Sequence, residues 1–191
     1  MKWVLGTSTA NTIRYCDNLD SDRRVGSVRR ASIAVGSRNE ASCVEITAHN
    51  WPRLRAKILG IERVSFVQSI RDSPRSLAAL AQSSSSIFLA MKVDRAPNTI
   101  GYLAADMLEK FAAIPSLLCD PYFEAGNTIY IASVAILAGW RHRGFAIALQ
   151  KECLRGALAR GLTRATAHIE SGALSRMRLE GRVLGQFREL V

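Results

Sequence analysis

The sequence has few of the residues that build metal centres. It contains only four cysteines and three histidines in 191 residues, with no Cys-x-x-Cys pair and no Cys/His cluster. Zinc sites and disulfide frameworks require such spacings, so the sequence predicts no metal site and no disulfide scaffold. Three of the four cysteines lie among apolar neighbours, a setting typical of reduced thiols.

Long apolar runs are also missing. No stretch of about 18 uncharged apolar residues occurs, which is the length that a transmembrane helix needs, so no membrane partner is expected. Lys2 is not followed by an apolar core and a small-residue cleavage site, the pattern of a secretory signal. These absences predict a cytoplasmic protein.

Acidic residues are scarce relative to basic ones. Lys and Arg number 26 against 16 Asp and Glu, for a formal net charge of +10, and more than half of the excess follows residue 138. An anionic partner such as nucleic acid is one prediction from this excess, and a solubilising surface charge is the alternative. Aromatic residues make up only 7% of the chain and are not interleaved with the arginines, as a base-stacking surface would require.

The most informative stretch is Trp140-Arg141-His142-Arg143-Gly144-Phe145-Ala146. It follows an apolar, strand-like run and opens a helical run rich in Ala and Leu. The N–H groups of a first helical turn have no intrahelical partner, and the helix dipole adds a partial positive charge there. A pyrophosphate binds readily at such an end, because Gly144 lets it approach the main chain and Arg141 and Arg143 add full charges.

The spacing Arg141-x-x-Gly144-x-Ala146 resembles the acetyl-CoA signature of the GCN5-related N-acetyltransferase (GNAT) superfamily. That signature is an Arg or Gln, two residues, a Gly, one residue, and a Gly or Ala. An ordinary basic turn is the alternative interpretation, and the strand–turn–helix context favours the family. The resemblance divides the chain into an N-terminal extension of uncertain order, residues 1–41, and a GNAT domain, residues 42–191.

The resemblance implies an α/β (α+β) fold. Its centre is a mixed, mostly antiparallel, twisted sheet flanked by helices, with a splayed cleft for acetyl-CoA. In the family's order of elements, two helices lie between Asn50 and Leu80, and Gly60 is a predicted interruption. Helices are also expected over 147–160 and 173–179. The expected strands are Cys43 to Ala48, Ile87 to Asp94, Thr99 to Asp106, Thr128 to Leu137 and Arg164 to Ile169.

The resemblance also implies which residues bind acetyl-CoA, the expected acyl donor. In the family, the pantetheine arm hydrogen-bonds to the backbone of the fourth family strand, here Val134, Ala135 and Ile136. The pyrophosphate lies in the turn, and Ile147 packs beside it. His142 is predicted either to contact phosphate or to be an exposed residue of the turn. The residues expected in the turn are Arg141, His142, Arg143, Gly144, Phe145 and Ala146.

The chain departs from the family where the leaving thiolate is protonated. A tyrosine on the helix after the fifth family strand often supplies that proton, and the matching position here is Met177. A thioether cannot donate a proton. Either another group protonates the thiolate, or solvent does, or the protein binds acyl-CoA without efficient transfer.

Four residues are candidates for acid–base work. Glu170, just beyond the fifth family strand, is the first candidate for the base, with a capping or ion-pairing carboxylate as the alternative. His168 shares its face if the strand is regular, but a structural histidine is the other interpretation. Tyr130 offers a phenol in place of the missing tyrosine, unless it is a core residue. Glu62 resembles an acidic residue that lines the acceptor site in N-terminal acetyltransferases, and a solvated helix charge is its alternative.

The function predicted from these features is acetyl transfer from acetyl-CoA to an amine by direct attack in a ternary complex. The acceptor is an amine of a protein or a small molecule, no metal is expected, and a homodimer is possible. The alternative is a catalytically weak acyl-CoA-binding or nucleic-acid-associated protein of the same fold.

Overall fold

The computed structural model describes the backbone of residues 10–15, 32–35, 39–94, 99–170 and 182–187, and the side chains of residues 41–94 and 99–167. Within these residues eight strands form one sheet. The strands are β1 (Ala10–Tyr15), β2 (Ser32–Val35), β3 (Asn39–Glu45), β4 (Ile87–Val93), β5 (Thr99–Met107), β6 (Thr128–Ile136), β7 (Arg164–Glu170) and β8 (Arg182–Phe187). Their order across the sheet is β2-β3-β4-β5-β6-β7-β1-β8.

Four α-helices accompany the sheet in the described part of the chain. They are α1 (Trp51–Ser65), α2 (Pro74–Gln82), α3 (Pro115–Leu118) and α4 (Phe145–Ala159). None of them is long and apolar enough to cross a membrane.

Helices cover both faces of the central strands, and β4 shows this most clearly. Its odd-numbered residues, from Ile87 to Val93, pack with Phe145 and Leu149 of α4. The intervening Phe88 and Ala90 pack with α1 and α2 on the opposite face. A strand buried on both faces has no need of polar residues at alternate positions, which explains the apolar run of β4.

The predicted fold class is confirmed in its main features. Every strand pair is antiparallel except β6 with β7, which is parallel. The sheet is therefore mixed and mostly antiparallel. The parallel pair is also where the sheet splays, since β6 pairs with β7 only from Thr128 to Tyr130, whereas β7 pairs with β1 as far as Glu170.

Local differences from the predictions have physical reasons. Gly60 does not interrupt the helix, because α1 runs through it to Ser65 and a buried apolar face outweighs the modest helix cost of one glycine. Asn50 precedes α1 but does not cap it. Its side-chain amide instead accepts from Thr47 N–H and donates to Glu45 O. At α2 the side chain of Ser73 does cap the helix, since Ser73 Oγ accepts from Ser76 N–H at 3.0 Å.

Two segments before residue 42 take part in the sheet. β1 lies between β7 and β8, and β2 pairs with β3 at the other side. The expected boundary between residues 41 and 42 falls inside β3, which begins at Asn39 and not at Cys43. The expected helix over 173–179, with Met177 on it, lies outside the described residues.

The close approach of β5 to β6 gives a first prediction. A Cβ added at Gly101 would lie 2.5 Å from Ala135 O and would also meet the Ile136 side chain. We expect Gly101→Ala to lower the free energy of unfolding by about 1–3 kcal/mol, since the strands must move apart. Urea titration measures this.

The matched control is Gly60→Ala, where the added Cβ meets nothing within 4 Å. In a helix interior this change raises stability by up to about 1 kcal/mol. Equal effects of the two substitutions would contradict the close strand contact.

Candidate active site

The cleft lies between the separated parts of β6 and β7. On its other edge β6 remains paired with β5, as far as Gly101↔Ile136. Residues 131–136 of β6 therefore form one wall of an opening in the sheet. Val134, Ala135 and Ile136, predicted to hold the pantetheine arm, all lie on this wall and are at most 5% exposed.

The turn between β6 and α4 is shaped for an anion. Gly144 precedes the helix with φ 82°, His142 has φ 61°, and a Cβ added to Gly144 would meet nothing within 4 Å. No side chain caps the first turn of α4, and no acidic residue lies in it. The first N–H groups of α4 thus face a space that a phosphate oxygen can enter.

Side chains of the turn tie it to its surroundings. Arg141 Nε donates to Ile136 O at 2.9 Å, which links the turn to the end of β6. The Arg143 guanidinium lies 5.1 Å from the centre of the Trp140 ring. Phe145 is buried in the core, while Arg141, His142, Arg143 and Gly144 are exposed. The structure therefore brings the predicted turn residues together at one mouth of the cleft, beside Ala146 and the half-exposed Ile147.

A cavity of about 620 Å³ opens on the face of the sheet that carries α1 and α2. It is lined by the segment between α1 and α2, by α2, by the turn after β5, and by Tyr130 and Ala132 of β6. The register of β5 with β6 shifts at this level, between Ala104 and Ala105, so Ala132 is an extra residue in β6. The cavity thus reaches β6 where the strand bulges and parts from β7.

Tyr130 lines the cavity and is almost fully buried. Its ring packs edge-on against Phe111, with 4.7 Å between the ring centres. Burial, and to a lesser extent the negative charge of Asp72, raise the pKa of the Tyr130 phenol above its usual value. The phenol therefore stays protonated at neutral and moderately alkaline pH, as a proton donor must.

Glu62 is buried and does not line the cavity. Its Oε1 accepts from Asp72 N–H at 2.5 Å, and its Oε2 accepts from the hydroxyl of Tyr102. Burial, followed by the charge of Glu62 and this hydrogen bond, raises the pKa of Tyr102. Glu62 is therefore not the solvated helix charge considered from the sequence. It is a buried carboxylate that holds the backbone of Asp72, a residue of the cavity lining.

Asp72 and Ser133 were not recognised from the sequence. Ser133 Oγ donates to Asp72 Oδ2 at 2.7 Å across 61 positions of the chain, and Asp72 lines the cavity. In the sequence, Asp72 merely precedes Ser73, the capping residue of α2, so only the contact with β6 reveals it.

The backbone of His168 and Glu170 lies on the part of β7 that follows its separation from β6. His168 pairs with Thr12 and Glu170 with Ala10 of β1. Their side chains lie outside the described residues, so their roles stay predictions.

The cysteines with described side chains offer no activated nucleophile. Burial is the largest cause that raises the pKa of Cys43 to about 11 and of Cys153 to about 12, with a smaller upward contribution from Glu152 at both. Cys119 is exposed and does not line the cavity. Across residues 41–94 and 99–167, no group of His, Cys, Asp and Glu is placed to hold a metal ion.

Comparisons with solved structures identify the same architecture. A ribosomal-protein-alanine N-acetyltransferase from Brucella melitensis is 13% identical with a TM-score of 0.56, over 79% of this chain and 98% of that chain. A GCN5-related N-acetyltransferase from Sphaerobacter thermophilus is 14% identical with a TM-score of 0.55, over 86% of this chain and 44% of that chain. An aminoglycoside N-acetyltransferase in complex with CoA is 12% identical with a TM-score of 0.55, over 82% of this chain and 99% of that chain.

These similarities concern the fold. No protein-family model and no curated protein sequence matches the chain, but 66 solved chains match it in structure. The chain therefore shares its fold with these acetyltransferases.

The buried Tyr102–Glu62 pair gives a second prediction. Tyr102→Phe removes a donor from a carboxylate that is 2% exposed. We expect a loss of about 1–3 kcal/mol in the free energy of unfolding, the usual cost of depriving a buried polar group of a partner. Adding Glu62→Gln should recover part of the loss, because a neutral amide needs less compensation than a carboxylate. A double variant that is less stable than Tyr102→Phe alone would argue against the pair.

Proposed function

We propose that this chain is an acyltransferase, because it has the fold of the GCN5-related N-acetyltransferases. It transfers the acetyl group of acetyl-CoA to an amine by direct attack in a ternary complex. One observation carries the proposal. The cleft that opens where β6 leaves β7 has an uncapped helix N-terminus at one end and a cavity of acceptor size on the α1/α2 face.

The donor fits the cleft by shape and charge. The open space at Gly144 and the N–H groups of the first turn of α4 suit the pyrophosphate, and exposed Arg143 adds charge. Arg141 both adds charge and fixes the turn to Ile136. The separated edge of β6, Val134 to Ile136, supplies backbone groups for the amides of the pantetheine arm. One solved structure with this fold, the aminoglycoside N-acetyltransferase described above, is a complex with CoA.

The chemistry needs a polarised thioester, a nucleophilic amine and a proton for the thiolate. Backbone N–H groups of β6 near Val134 polarise the thioester carbonyl. The neutral amine attacks the carbonyl carbon, the carbon–sulfur bond breaks, and the thiolate of CoA leaves. Tyr130 lies on the same strand and lines the cavity, so we propose that its phenol, which burial keeps protonated, donates the proton that the thiolate takes up. The amine's proton passes to a base, for which Glu170 and then His168 are the proposed groups.

Met177 supports a second candidate, a protein that binds acyl-CoA with little turnover. Release of free CoA from acetyl-CoA in the presence of amines, peptides and aminoglycosides separates the two functions. Turnover on any acceptor supports the transferase, whereas tight CoA binding with no turnover on the whole panel supports the binding protein. A nucleic-acid partner and a homodimer stay predictions from charge and resemblance.

The phosphate turn gives a third prediction. Gly144→Trp should abolish CoA binding measured by calorimetry, because the indole fills the space that the pyrophosphate needs. Gly161→Trp is the matched control, since Gly161 has φ 81° against 82° at Gly144 and is equally open, but it follows the other end of α4. Both substitutions strain the backbone alike. Equal CoA affinities in the two folded variants would refute the turn as the binding site.

The role of Tyr130 gives a fourth prediction. Tyr130→Phe keeps the contact with Phe111 but removes the proton donor, so kcat should fall about 10²-fold while the KM for acetyl-CoA changes little. In the wild type, a raised pKa means that the phenol remains protonated above pH 10, its ordinary value. Wild-type activity should therefore show no decline between pH 8 and 10 from loss of this proton. A Tyr130→Phe variant with full kcat would exclude the assignment.

A further inference from the structure

We propose that Asp72 recognises the acceptor as a cationic amine, and that Glu62 positions Asp72 for this task. The inference rests on the proposed acetyl transfer and narrows its acceptor to amines that enter the cavity as ammonium ions. The sequence did not connect these two residues, since Glu62 lies near the end of α1 and Asp72 lies ten positions later, shortly before α2.

Asp72 lies where an acceptor must approach the thioester. It lines the cavity together with Tyr130 and Ala132 of β6. Its Oδ2 accepts from Ser133 Oγ at 2.7 Å, next to the bulge of β6 and on the part of the strand that has left β7. A carboxylate accepts up to about four hydrogen bonds at its two oxygens, so an ammonium group can donate to Asp72 alongside Ser133.

The surroundings make this carboxylate a selective ligand. Asp72 is only partly exposed, and a partly desolvated carboxylate binds a cation more strongly than an exposed one. Asp106, the register partner of Tyr130, adds a second negative charge to the cavity lining. The cations of the lining are Lys110 and Arg71, and Arg71 is engaged, since it donates to Phe66 O at 2.9 Å and Arg63 O at 2.7 Å.

Glu62 holds the backbone of Asp72 from the other side. Glu62 Oε1 accepts from Asp72 N–H, while Glu62 Oε2 accepts from Tyr102 on β5. Ser133 on β6 holds the side chain of the same residue. Asp72 is thus held at two points, its backbone by Glu62 of α1 and its side chain by Ser133 of β6. These contacts give the Asp72 carboxylate, on the segment between α1 and α2, a fixed position beside the thioester. Its orientation depends on Glu62, which is buried and does not line the cavity.

The first experiment measures binding to the CoA-loaded, full-length protein. The probes are benzylamine, cadaverine and alaninamide, each against its hydroxyl analogue: benzyl alcohol, 1,5-pentanediol and lactamide. Ligand-observed NMR gives the Kd values at pH 7.5. We expect the wild type to prefer at least one amine by about 10- to 100-fold, the range of a charge-assisted hydrogen bond. Asp72→Asn keeps the shape and a hydrogen bond to Ser133 but should lose the preference.

The control is Asp94→Asn, which removes the same charge from an exposed residue at the end of β4 and should keep the preference. An Asp72→Asn variant that still prefers amines, or a wild type with no preference for any amine, overturns the proposal.

The second experiment tests positioning by Glu62. Glu62→Ala should weaken binding of the preferred amine in the same direction as Asp72→Asn, with the Kd of CoA unchanged. Glu62→Gln should restore amine binding, because its amide oxygen can still accept from Asp72 N–H. The double variant Glu62→Ala/Asp72→Asn should bind the amine no more weakly than Asp72→Asn alone, since both substitutions remove one interaction.

If Glu62→Ala does not fold, Ser133→Ala tests the other point of attachment and should weaken amine binding in the same way. Additive losses in the double variant, or amine affinity unchanged in a folded Glu62→Ala or Ser133→Ala variant, overturn the positioning role.

The outcomes separate this inference from the proposed function. Asp72-dependent amine binding without acetylation of any probe means that transfer fails and cation recognition stands. Equal acetylation by wild type and Asp72→Asn, with the same KM for the amine, means that transfer stands and recognition by Asp72 is wrong.

Discussion

The structure depends on one constraint, the partial pairing of β6 with β7. β6 pairs with β5 from Ile129 to Ile136, apart from the bulge at Ala132, but with β7 over three residues only. A parallel pair that ends so early leaves an opening in the middle of a sheet whose strands otherwise continue side by side. The opening lies between two hydrophobic clusters, one under α4 and one under α1 and α2. Both faces of β6 are therefore packed against apolar side chains. This packing keeps the strand in position although one of its backbone edges is not paired with β7 beyond Tyr130.

The two ends of this opening differ in chemistry. At the α4 end, the geometry is set by the backbone: a glycine with positive φ, a helix without a capping side chain, and arginines that are exposed or bound to a carbonyl. Such a site holds an anion by position and dipole and tolerates many side-chain changes. At the α1/α2 end, the geometry is set by side chains, because Asp72, Tyr130, Ser133 and Glu62 come from different elements and meet only in the fold.

The hydrogen bonds behind the cavity connect stability with function. The buried carboxylate of Glu62 would be costly alone, but it accepts from both Tyr102 and the backbone of Asp72. Its burial therefore orders the segment between α1 and α2. The same segment is held by Arg71, which bonds to two carbonyl groups at the end of α1. A rigid wall suits the proposed acetyl transfer, in which a nucleophile must be held at a fixed distance from the thioester.

The sequence by itself determined the parts of this protein that local physics controls. The apolar runs of β4, β5 and β6 and the turn ending at Gly144 follow from spacing and from the conformational freedom of glycine, so they were predictable and are observed. The spacing Arg141-x-x-Gly144-x-Ala146, together with the order of the elements, pointed to the fold. The continuous α1 through Gly60 was not predictable, because burial of its face decided against the local cost of glycine.

Only the tertiary structure decided which carboxylates meet and where. Glu62 has the same sequence pattern whether it is solvated or buried, and Asp72 is an ordinary residue before a helix until Ser133, 61 positions away, donates to it. Long-range contacts of this kind produce no periodic pattern in the sequence, because each residue fits its own helix, strand or loop equally well without its partner. The turn before α4, whose geometry depends on the backbone, could therefore be predicted from the sequence. The cluster of Asp72, Ser133 and Glu62 depends on side chains from separate elements and became visible only in the fold.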